Sequence, residues 1–245
     1  AQGLWVLHQH LARTHTVTVI APDRERSAVG HGITLHEPLR AHDVQINGNQ
    51  TGFAVTGTPA DCIKLGVTEI LSQPPDIVIS GINPGANVGA DINYSGTVAA
   101  AKEAALNGLP AMAVSMRGPR VTHYDTAAQF AAELAADIQA RGLPFGTCLN
   151  VNIPDQPMSA IAGVVISRQE FERLSDSFER RTDPRNRTYY WQGRETPKES
   201  GALDIDGTAL ARNYISVTPI KCDLTDYNKI ETLKDWQLDK KVSAK

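Results

Sequence analysis

The sequence predicts an α/β protein with a doubly wound, Rossmann-like and mostly parallel sheet in three α/β/α layers, plus a projecting β-hairpin or C-terminal extension. Three observations predict this class. Strand-like and helix-like patterns alternate up to about residue 155. Residues 76–80 (DIVIS) form a compact apolar run, typical of a central parallel strand. Beyond Pro154 the chain becomes polar, with isolated aromatic and β-branched runs that indicate projecting hairpins.

The first elements look like part of a βαβ unit. Leu4, Leu7 and Leu11 recur at helical spacing, which predicts an amphipathic helix. Residues 16–20 (TVTVI) are a β-branched run that predicts a buried strand. A helix that leads directly into a buried strand is the second half of a βαβ unit, which predicts a parallel strand before residue 1. The alternative is a fold that begins with this helix.

The remaining elements follow in alternation. Residues 53–55 predict a strand, and Thr58 with Pro59 predicts the N-cap and first position of a helix that stops before Pro74. Helices are then expected at about 95–106 and 124–141, and strands at 76–80, 111–115, 149–154, 188–191 and 214–220. We expect residues 1–155 to form the catalytic region and residues 156–245 an extension within the same structural domain, suited to subunit contacts.

The composition excludes several classes of partner. The 245 residues carry 24 Lys and Arg against 27 Asp and Glu, a net charge of -3, which gives no reason to expect a nucleic-acid duplex or a membrane surface as partner. No apolar run approaches the ~20 residues that span a bilayer. The three cysteines, Cys62, Cys148 and Cys222, form no CxxC pair. We therefore expect neither a disulfide framework nor a zinc site, and a cytoplasmic location.

Three polar segments should lie beyond the carboxyl ends of the strands, where open α/β sheets bind ligands. The clearest is residues 93–100, in which Ser95 and Thr97 place hydroxyls at a helix start and Gly96 permits close approach by a ligand. The N–H groups of such a helix start favour a phosphate. The alternative is a simple helix cap beside small packing residues.

The other two segments are less specific. Residues 80–89 (SGINPGANVG) place Asn83, Asn87 and three glycines after a strand, which suits a cation, a phosphate or an ordinary turn. In residues 24–31, Ser27 lies among basic residues, and His31 is either a proton-transfer group or a surface histidine. No GxSxG motif is present, which disfavours a covalent serine mechanism.

Together these segments resemble the SurE family (survival protein E), the metal-dependent 5'/3'-nucleotidases. The resemblance covers nearly the whole chain in the same order. The matching stretches are 21–27 (APDRERS), 57–62 (GTPADC), 80–87 (SGINPGAN), 94–100 (YSGTVAA), 183–185 (DPR), 190–191 (YW), 216–219 (SVTP) and 223–225 (DLT).

The resemblance implies one divalent ion, Mg²⁺ or Mn²⁺, per subunit. Its ligands in the family are an Asp-Asp pair, a Ser that matches Ser27 and an Asn that matches Asn83. The Asp-Asp pair belongs to an Asn-Asp-Asp-Gly stretch at the end of the first strand, which the printed sequence does not contain, so the catalytic residues are not assigned. The resemblance further implies that Ser95, Gly96 and Thr97 bind the phosphate, with Asn87 nearby.

The implied activity is hydrolysis of nucleoside 5'- or 3'-monophosphates to nucleoside and phosphate, by a homodimer or homotetramer. Because Ser27 and Asn83 are neutral, we expect residues 1–245 alone to bind metal weakly and turn over poorly. One alternative is a nucleotide-binding protein without catalysis or an inactive fragment. Another is a metal-independent esterase. Loss of activity with a chelator would exclude the esterase.

Overall fold

The computed structural model describes residues 2–46, 50–171, 177–193 and 201–238. The helices and strands alternate through most of this range, as the sequence predicts. The helices are α1 Gln2–Leu11, α2 Pro59–Leu65, α3 Gly96–Leu106, α4 Tyr124–Arg141, α5 Asp206–Ala211 and α6 Tyr227–Lys234. The strands are β1 Ile20–Pro22, β2 Ala41–Ile46, β3 Gln50–Val55, β4 Val78–Pro84, β5 Ala111–Met116, β6 Thr147–Ile153, β7 Gly163–Ile166, β8 Phe178–Thr182, β9 Thr188–Gln192 and β10 Tyr214–Lys221.

The central sheet has the strand order β4-β5-β6-β10-β7. Strands β4, β5 and β6 are parallel to one another, β10 is antiparallel to β6, and β7 is parallel to β10. The prediction of a mostly parallel α/β sheet is therefore confirmed. Strands β7 and β10 come from beyond residue 155 and still belong to this sheet, so the catalytic region and the extension share one sheet.

A second sheet has the order β1-β3-β2, with β1 parallel and β2 antiparallel to β3. Strand β1 begins at Ile20, later than the predicted strand at 16–20. Val19, which precedes β1, is nevertheless buried, as expected for this β-branched run. The parallel strand predicted before residue 1 lies outside the printed sequence and stays a prediction.

The two faces of the central sheet differ in character. One face is apolar and packs against α1 and α4; it includes Met112, Val114, Met116, Val151, Ile153, Ile215 and Val217. The opposite face packs against the alanine-rich α3 through Ala111, Ala113 and Cys148. Further along the strands this second face becomes polar while remaining buried. Its polar side chains are Ser115, Asn150, Asn152, Ser216 and Thr218.

Local hydrogen bonding explains where α2 begins. The Thr58 hydroxyl accepts a hydrogen bond from the Asp61 N–H at 3.1 Å, and an Asp61 carboxylate oxygen accepts from the Thr58 N–H at 2.8 Å. This reciprocal pair is a capping box, and Pro59 occupies the first helical turn. The predicted start of this helix is confirmed. It continues through a π-helical turn, Gly66–Ile70, before the two prolines.

The C-terminal part carries apolar side chains on its surface. Strands β8 and β9 form an antiparallel hairpin whose strand residues are all exposed, including Tyr190 and Trp191. Helix α6 buries no residue within the chain. Across the described ranges, none of the helices combines the length and apolar character needed to cross a membrane.

Candidate active site

The first turn of α3 forms the centre of the candidate site. Ser95 is the N-cap residue, in an extended conformation, and its hydroxyl accepts a hydrogen bond from the Val98 N–H at 3.1 Å. Ser95 and Gly96 are buried and Thr97 is half-buried. The hydroxyl hydrogen of Ser95 and the N–H groups of this turn are donors suited to a phosphate.

The loop at residues 24–31 lies against this turn. The Gly30 N–H donates to the Tyr94 carbonyl at 2.9 Å. A Cβ atom at Gly96 would lie 3.0 Å from Pro59 Cγ and 3.5 Å from the Arg26 carbonyl oxygen. The starts of α2 and α3 and this loop therefore meet at one place, where a larger residue than Gly96 would push them apart.

Several contacts outside the site hold the same loop. The Arg26 guanidinium donates to the Thr56 carbonyl at 3.1 Å. His31 Nε2 lies 2.8 Å from Glu103 Oε2 on α3. His31 therefore pairs with a buried carboxylate. The sequence had left open only a proton-transfer group or a surface histidine. Arg26 thus fixes the loop to Thr56, the residue after β3, and His31 fixes it to α3.

Asp61 holds the chain at Thr34, just after the loop at residues 24–31. Its carboxylate accepts hydrogen bonds from the hydroxyl and N–H of Thr34, the former at 2.7 Å, as well as from the Thr58 N–H. Burial by itself would raise the pKa of Asp61, but these hydrogen bonds outweigh it and hold the pKa below its ordinary value. The side chain is therefore ionised at neutral pH and binds the loop to the start of α2.

The two predicted metal ligands lie in separate segments, Ser27 in the loop after β1 and Asn83 near the end of β4. The Ser27 side chain is exposed, and its hydroxyl donates to Glu25 Oε1 at 2.7 Å. The Asn83 amide nitrogen donates to the Gly85 carbonyl at 2.8 Å, which leaves its amide oxygen for a ligand. No hydrogen bond joins Ser27 to Asn83 in the described part of the chain, so their convergence on one ion stays a prediction.

The donor chemistry does not amount to a complete site for a divalent cation. Such ions prefer several oxygen ligands that include carboxylates. Within residues 2–46, 50–171, 177–193 and 201–238, no group of three or more His, Cys, Asp or Glu residues is placed to hold a metal ion. Ser27 and Asn83 alone therefore do not form a complete site for the ion.

Asn87 is buried and directed into the sheet. Its N–H donates to Asn152 Oδ1 at 2.8 Å, and its side-chain nitrogen donates to the Ser115 hydroxyl at 2.7 Å. Its carbonyl oxygen accepts from the side-chain nitrogens of Asn150 at 2.8 Å and Asn152 at 3.0 Å. The predicted contact between Asn87 and a phosphate therefore stays a prediction, while the structure shows what holds this residue.

The loop that contains Asn87 continues into the α3 turn. Gly89–Asn93 is a 3-10 turn, and the Ser95 N–H donates to the Asp91 carbonyl at 3.1 Å. The Gly89 N–H donates to the buried Asp206 carboxylate at 2.9 Å. The segments 80–89 and 93–100, predicted to lie at the same edge of the sheet, are thus joined by one short turn.

Sequence reasoning missed four buried polar residues around the site: Glu103, Asn150, Asn152 and Asp206. A signal for two of them was present. The alternation Asn-Val-Asn inside the predicted strand at 149–154 places both amides on one face of a buried strand, which requires polar partners on that face. Glu103 and Asp206 carry no comparable local signal.

Known proteins are similar to this chain over almost its full length. The family model described as Survival protein SurE matches residues 1–176. The 5'-nucleotidase SurE of Desulfatibacillum aliphaticivorans is 57% identical over 239 residues, which are 97% of this chain and 94% of the relative. That of Syntrophobacter fumaroxidans is 48% identical over 238 residues, 97% and 95% of the two chains. The crystal structure of the SurE protein from Aquifex aeolicus superposes with a TM-score of 0.84 at 35% identity, covering 97% of this chain and 95% of that one.

Proposed function

Because this chain belongs to the SurE family, we propose that it hydrolyses nucleoside 5'- and 3'-monophosphates to nucleoside and phosphate. Its curated relatives are named 5'-nucleotidase SurE, and the chain is accordingly a metal-dependent nucleotide phosphatase. The observation that carries this conclusion is the match to such a relative at 57% identity across 97% of the chain. A nucleotide-binding domain that shared only the fold would not match at this level.

The geometry supports binding of the phosphate at the start of α3. The N–H groups of the first turn and the Ser95 and Thr97 hydroxyls supply donors, and the positive end of the helix dipole favours the anion. Gly96 lets Pro59 and the Arg26 carbonyl pack closely against this turn. The His31–Glu103 and Thr34–Asp61 contacts hold the neighbouring loop still, so the donors are arranged before the substrate arrives.

The metal is proposed to be one Mg²⁺ or Mn²⁺ per subunit. Ser27 and Asn83 supply neutral oxygens toward it, and the negative charge that a divalent ion requires has to come from other groups. When bound, such an ion would neutralise phosphate charge and lower the pKa of a bound water.

The assembly is proposed to be a homodimer or homotetramer formed through the C-terminal extension. Helix α6 leaves Ile230 and Leu233 exposed, and the residues after it leave Trp236 and Leu238 exposed. The β8–β9 hairpin leaves Trp191 exposed. Large exposed apolar side chains of this kind are typical of interaction surfaces. We also propose a cytoplasmic location, because all three cysteines are free, as in a reducing compartment.

The direct test is phosphate release from nucleoside 5'- and 3'-monophosphates by the protein expressed from its own gene, with Mg²⁺, Mn²⁺ or a chelator. We expect hydrolysis with metal and its loss with chelator. Chelator-resistant hydrolysis would identify a metal-independent esterase. Nucleotide binding without phosphate release under any metal would identify a binding protein, and either result would overturn the proposal.

A further inference from the structure

We infer that Asn150, Asn152 and Asp206 are positioning residues that fix the main chain of the loop at residues 85–89, here the substrate loop, through Asn87 and Gly89. The inference rests on the proposed function, since it takes this loop to contact the nucleotide. None of the three side chains needs to touch the substrate. They act through the backbone of the loop, which they hold against the buried polar face of the sheet.

The two asparagines clamp a single residue. Asn152 accepts from the Asn87 N–H and donates to the Asn87 carbonyl, so one amide side chain pairs with both polar groups of the Asn87 main chain. Asn150 donates to the same carbonyl at 2.8 Å. Side chains of β6 therefore accept from the Asn87 N–H and donate to both lone pairs of its carbonyl. In a sheet, a neighbouring strand would make such bonds with its main chain.

Their burial indicates that this arrangement is specific. Asn150 and Asn152 are both fully buried, where an amide costs free energy unless it is hydrogen-bonded. Asn150 Oδ1 is buried and has no hydrogen-bond partner among the described residues. The orientation of this amide is therefore set by its donation to Asn87, since no partner on its oxygen side holds it.

Asp206 holds the other end of the loop. One carboxylate oxygen accepts from the Gly89 N–H at 2.9 Å, and the other accepts from the Glu170 N–H at 3.0 Å. The Gln169 side chain donates to the Gly89 carbonyl at 2.7 Å. Gly89 is therefore fixed on both its N–H and its C=O by residues that follow β7 in the chain.

Such a clamp has a functional consequence because binding groups on loops lose effectiveness when they move. A misplacement of about 1 Å can lower a rate by about 100-fold. The clamp removes that freedom for residues 87–89, which lead directly into the turn that begins α3. A merely structural role for Asn152 would instead lower stability without a selective effect on the loop.

The polar face of the sheet supplies a matched control. Ser216 lies directly opposite Asn152 in the β6–β10 pairing and is equally buried. Its hydroxyl lies 2.7 Å from that of Ser167. Ser216→Ala therefore removes a buried polar group from the same layer, one strand away, without altering a hydrogen bond to the substrate loop.

The experiment compares wild-type protein, Asn152→Ala, Asn152→Asp and Ser216→Ala by amide hydrogen exchange and by steady-state kinetics on adenosine 5'-monophosphate. We expect both Asn152 variants to raise KM by about 10-fold or more, with a smaller change in kcat. We also expect Asn152→Ala to speed exchange at the Asn87 amide. Ser216→Ala should leave KM and that exchange rate unchanged. Asn152→Asp keeps the size of the side chain in case the alanine variant does not fold.

The outcomes separate the inference from the function on which it rests. If the wild-type protein neither binds nor hydrolyses the nucleotide, the proposed function fails. If the wild-type protein is active and the Asn152 variants match Ser216→Ala in KM and in Asn87 exchange, the positioning role is wrong while the function stands. Faster exchange confined to residues 87–89 together with the raised KM would establish the clamp.

Discussion

His31 Nε2 lies 2.8 Å from Glu103 Oε2, and this contact joins the loop that carries Ser27 to the helix that begins at Gly96. Lys64 Nζ lies 3.3 Å from the other oxygen of the same carboxylate. Glu103 is only 7% exposed, so its charge relies on these partners rather than on water. Two of the three candidate segments are thus tied together behind the site.

Glu103→Ala should therefore loosen the loop. The substitution leaves the donors of His31 and Lys64 without their acceptor, and we expect the free energy of unfolding to fall by about 1–3 kcal/mol. Affinity for a nucleoside monophosphate should fall as well, since Ser27 lies on the released loop. Urea unfolding and nucleotide titration measure the two effects.

The exposed Glu133 on α4 provides the control for this change. Its carboxylate accepts from Gln129 at the surface, and Glu133→Ala should alter stability by no more than about 0.5 kcal/mol. Equal losses of stability in the two variants, or unchanged nucleotide affinity in Glu103→Ala, would contradict the role given to this contact.

Asp61 makes stability depend on pH. Its pKa is held below the unfolded value of about 3.9 because Thr58 and Thr34 donate to the carboxylate against the opposing effect of burial. The stabilisation is therefore complete above the unfolded pKa and is lost as the pH falls through the folded pKa. Asp61→Asn should cost about 1–3 kcal/mol at pH 7, and the difference from wild type should shrink below about pH 4.

Urea unfolding of both proteins between pH 7 and pH 3 measures this difference. Asp137→Asn is the matched change, since Asp137 is exposed on α4 and pairs only loosely with Arg141 at 3.4 Å. It should have little effect at any pH. A cost for Asp61→Asn that stayed constant down to pH 3 would show that the ionised carboxylate is not the source of the stability.

How far the sequence anticipates this structure depends on the range of the interactions involved. The starts of α2 and α3 were predictable because each is set by hydrogen bonds between residues three apart, Thr58 with Asp61 and Ser95 with Val98. The direction of Asn87 was not, since its partners Asn150 and Asn152 lie 63 and 65 residues away.

The same distinction applies to the strands. The apolar strands β4, β5 and β6 were predictable from composition alone. The position of β10 between β6 and β7 follows from pairing with distant strands, which no local pattern encodes. Strand β8 (FERRT) is wholly exposed and lacks the alternation of a half-buried strand, so only its partner β9, with its aromatic residues, was predicted.

The three thiols should differ in reactivity. Burial, the largest cause in each case, raises the pKa of both Cys62 and Cys148 to about 12, while Cys222 is half-buried. Only the thiolate reacts readily with iodoacetamide. In the native protein at pH 8 we expect Cys222 to be labelled at least ~10-fold faster than the other two. Peptide mass spectrometry measures the rates. In urea all three should react alike, and rapid native labelling of Cys62 would contradict its burial.

Leu233→Asp on α6 should reduce the size of the assembly. Leu233 is 44% exposed on a helix that has no buried residue in the described part of the chain, and a buried carboxylate in a subunit interface is costly. We expect light scattering to show a smaller species than for wild type. Lys229→Ala on the same helix removes a polar residue and should leave the mass unchanged. A wild-type protein that is already monomeric would refute the proposed assembly.

The polypeptide of residues 1–245 alone should bind Mn²⁺ weakly. Ser27 and Asn83 offer neutral oxygens, and the described ranges contain no cluster of three or more acidic, His or Cys side chains to balance the charge. Cation sites that include carboxylates already weaken to about 1 mM at their loosest, so we expect a Kd no tighter than that. Titration followed by the paramagnetic resonance of free Mn²⁺ measures it.

The matched protein for this titration is the same polypeptide preceded by a strand that ends in Asn-Asp-Asp-Gly, the stretch that the family resemblance implies. Two carboxylates beside Ser27 and Asn83 would supply the missing charge, and we expect the affinity for Mn²⁺ to rise by at least ~10-fold. Replacing its two aspartates by asparagine should return the affinity to that of residues 1–245. Equal affinity in all three proteins would show that the added carboxylates are not ligands of the ion.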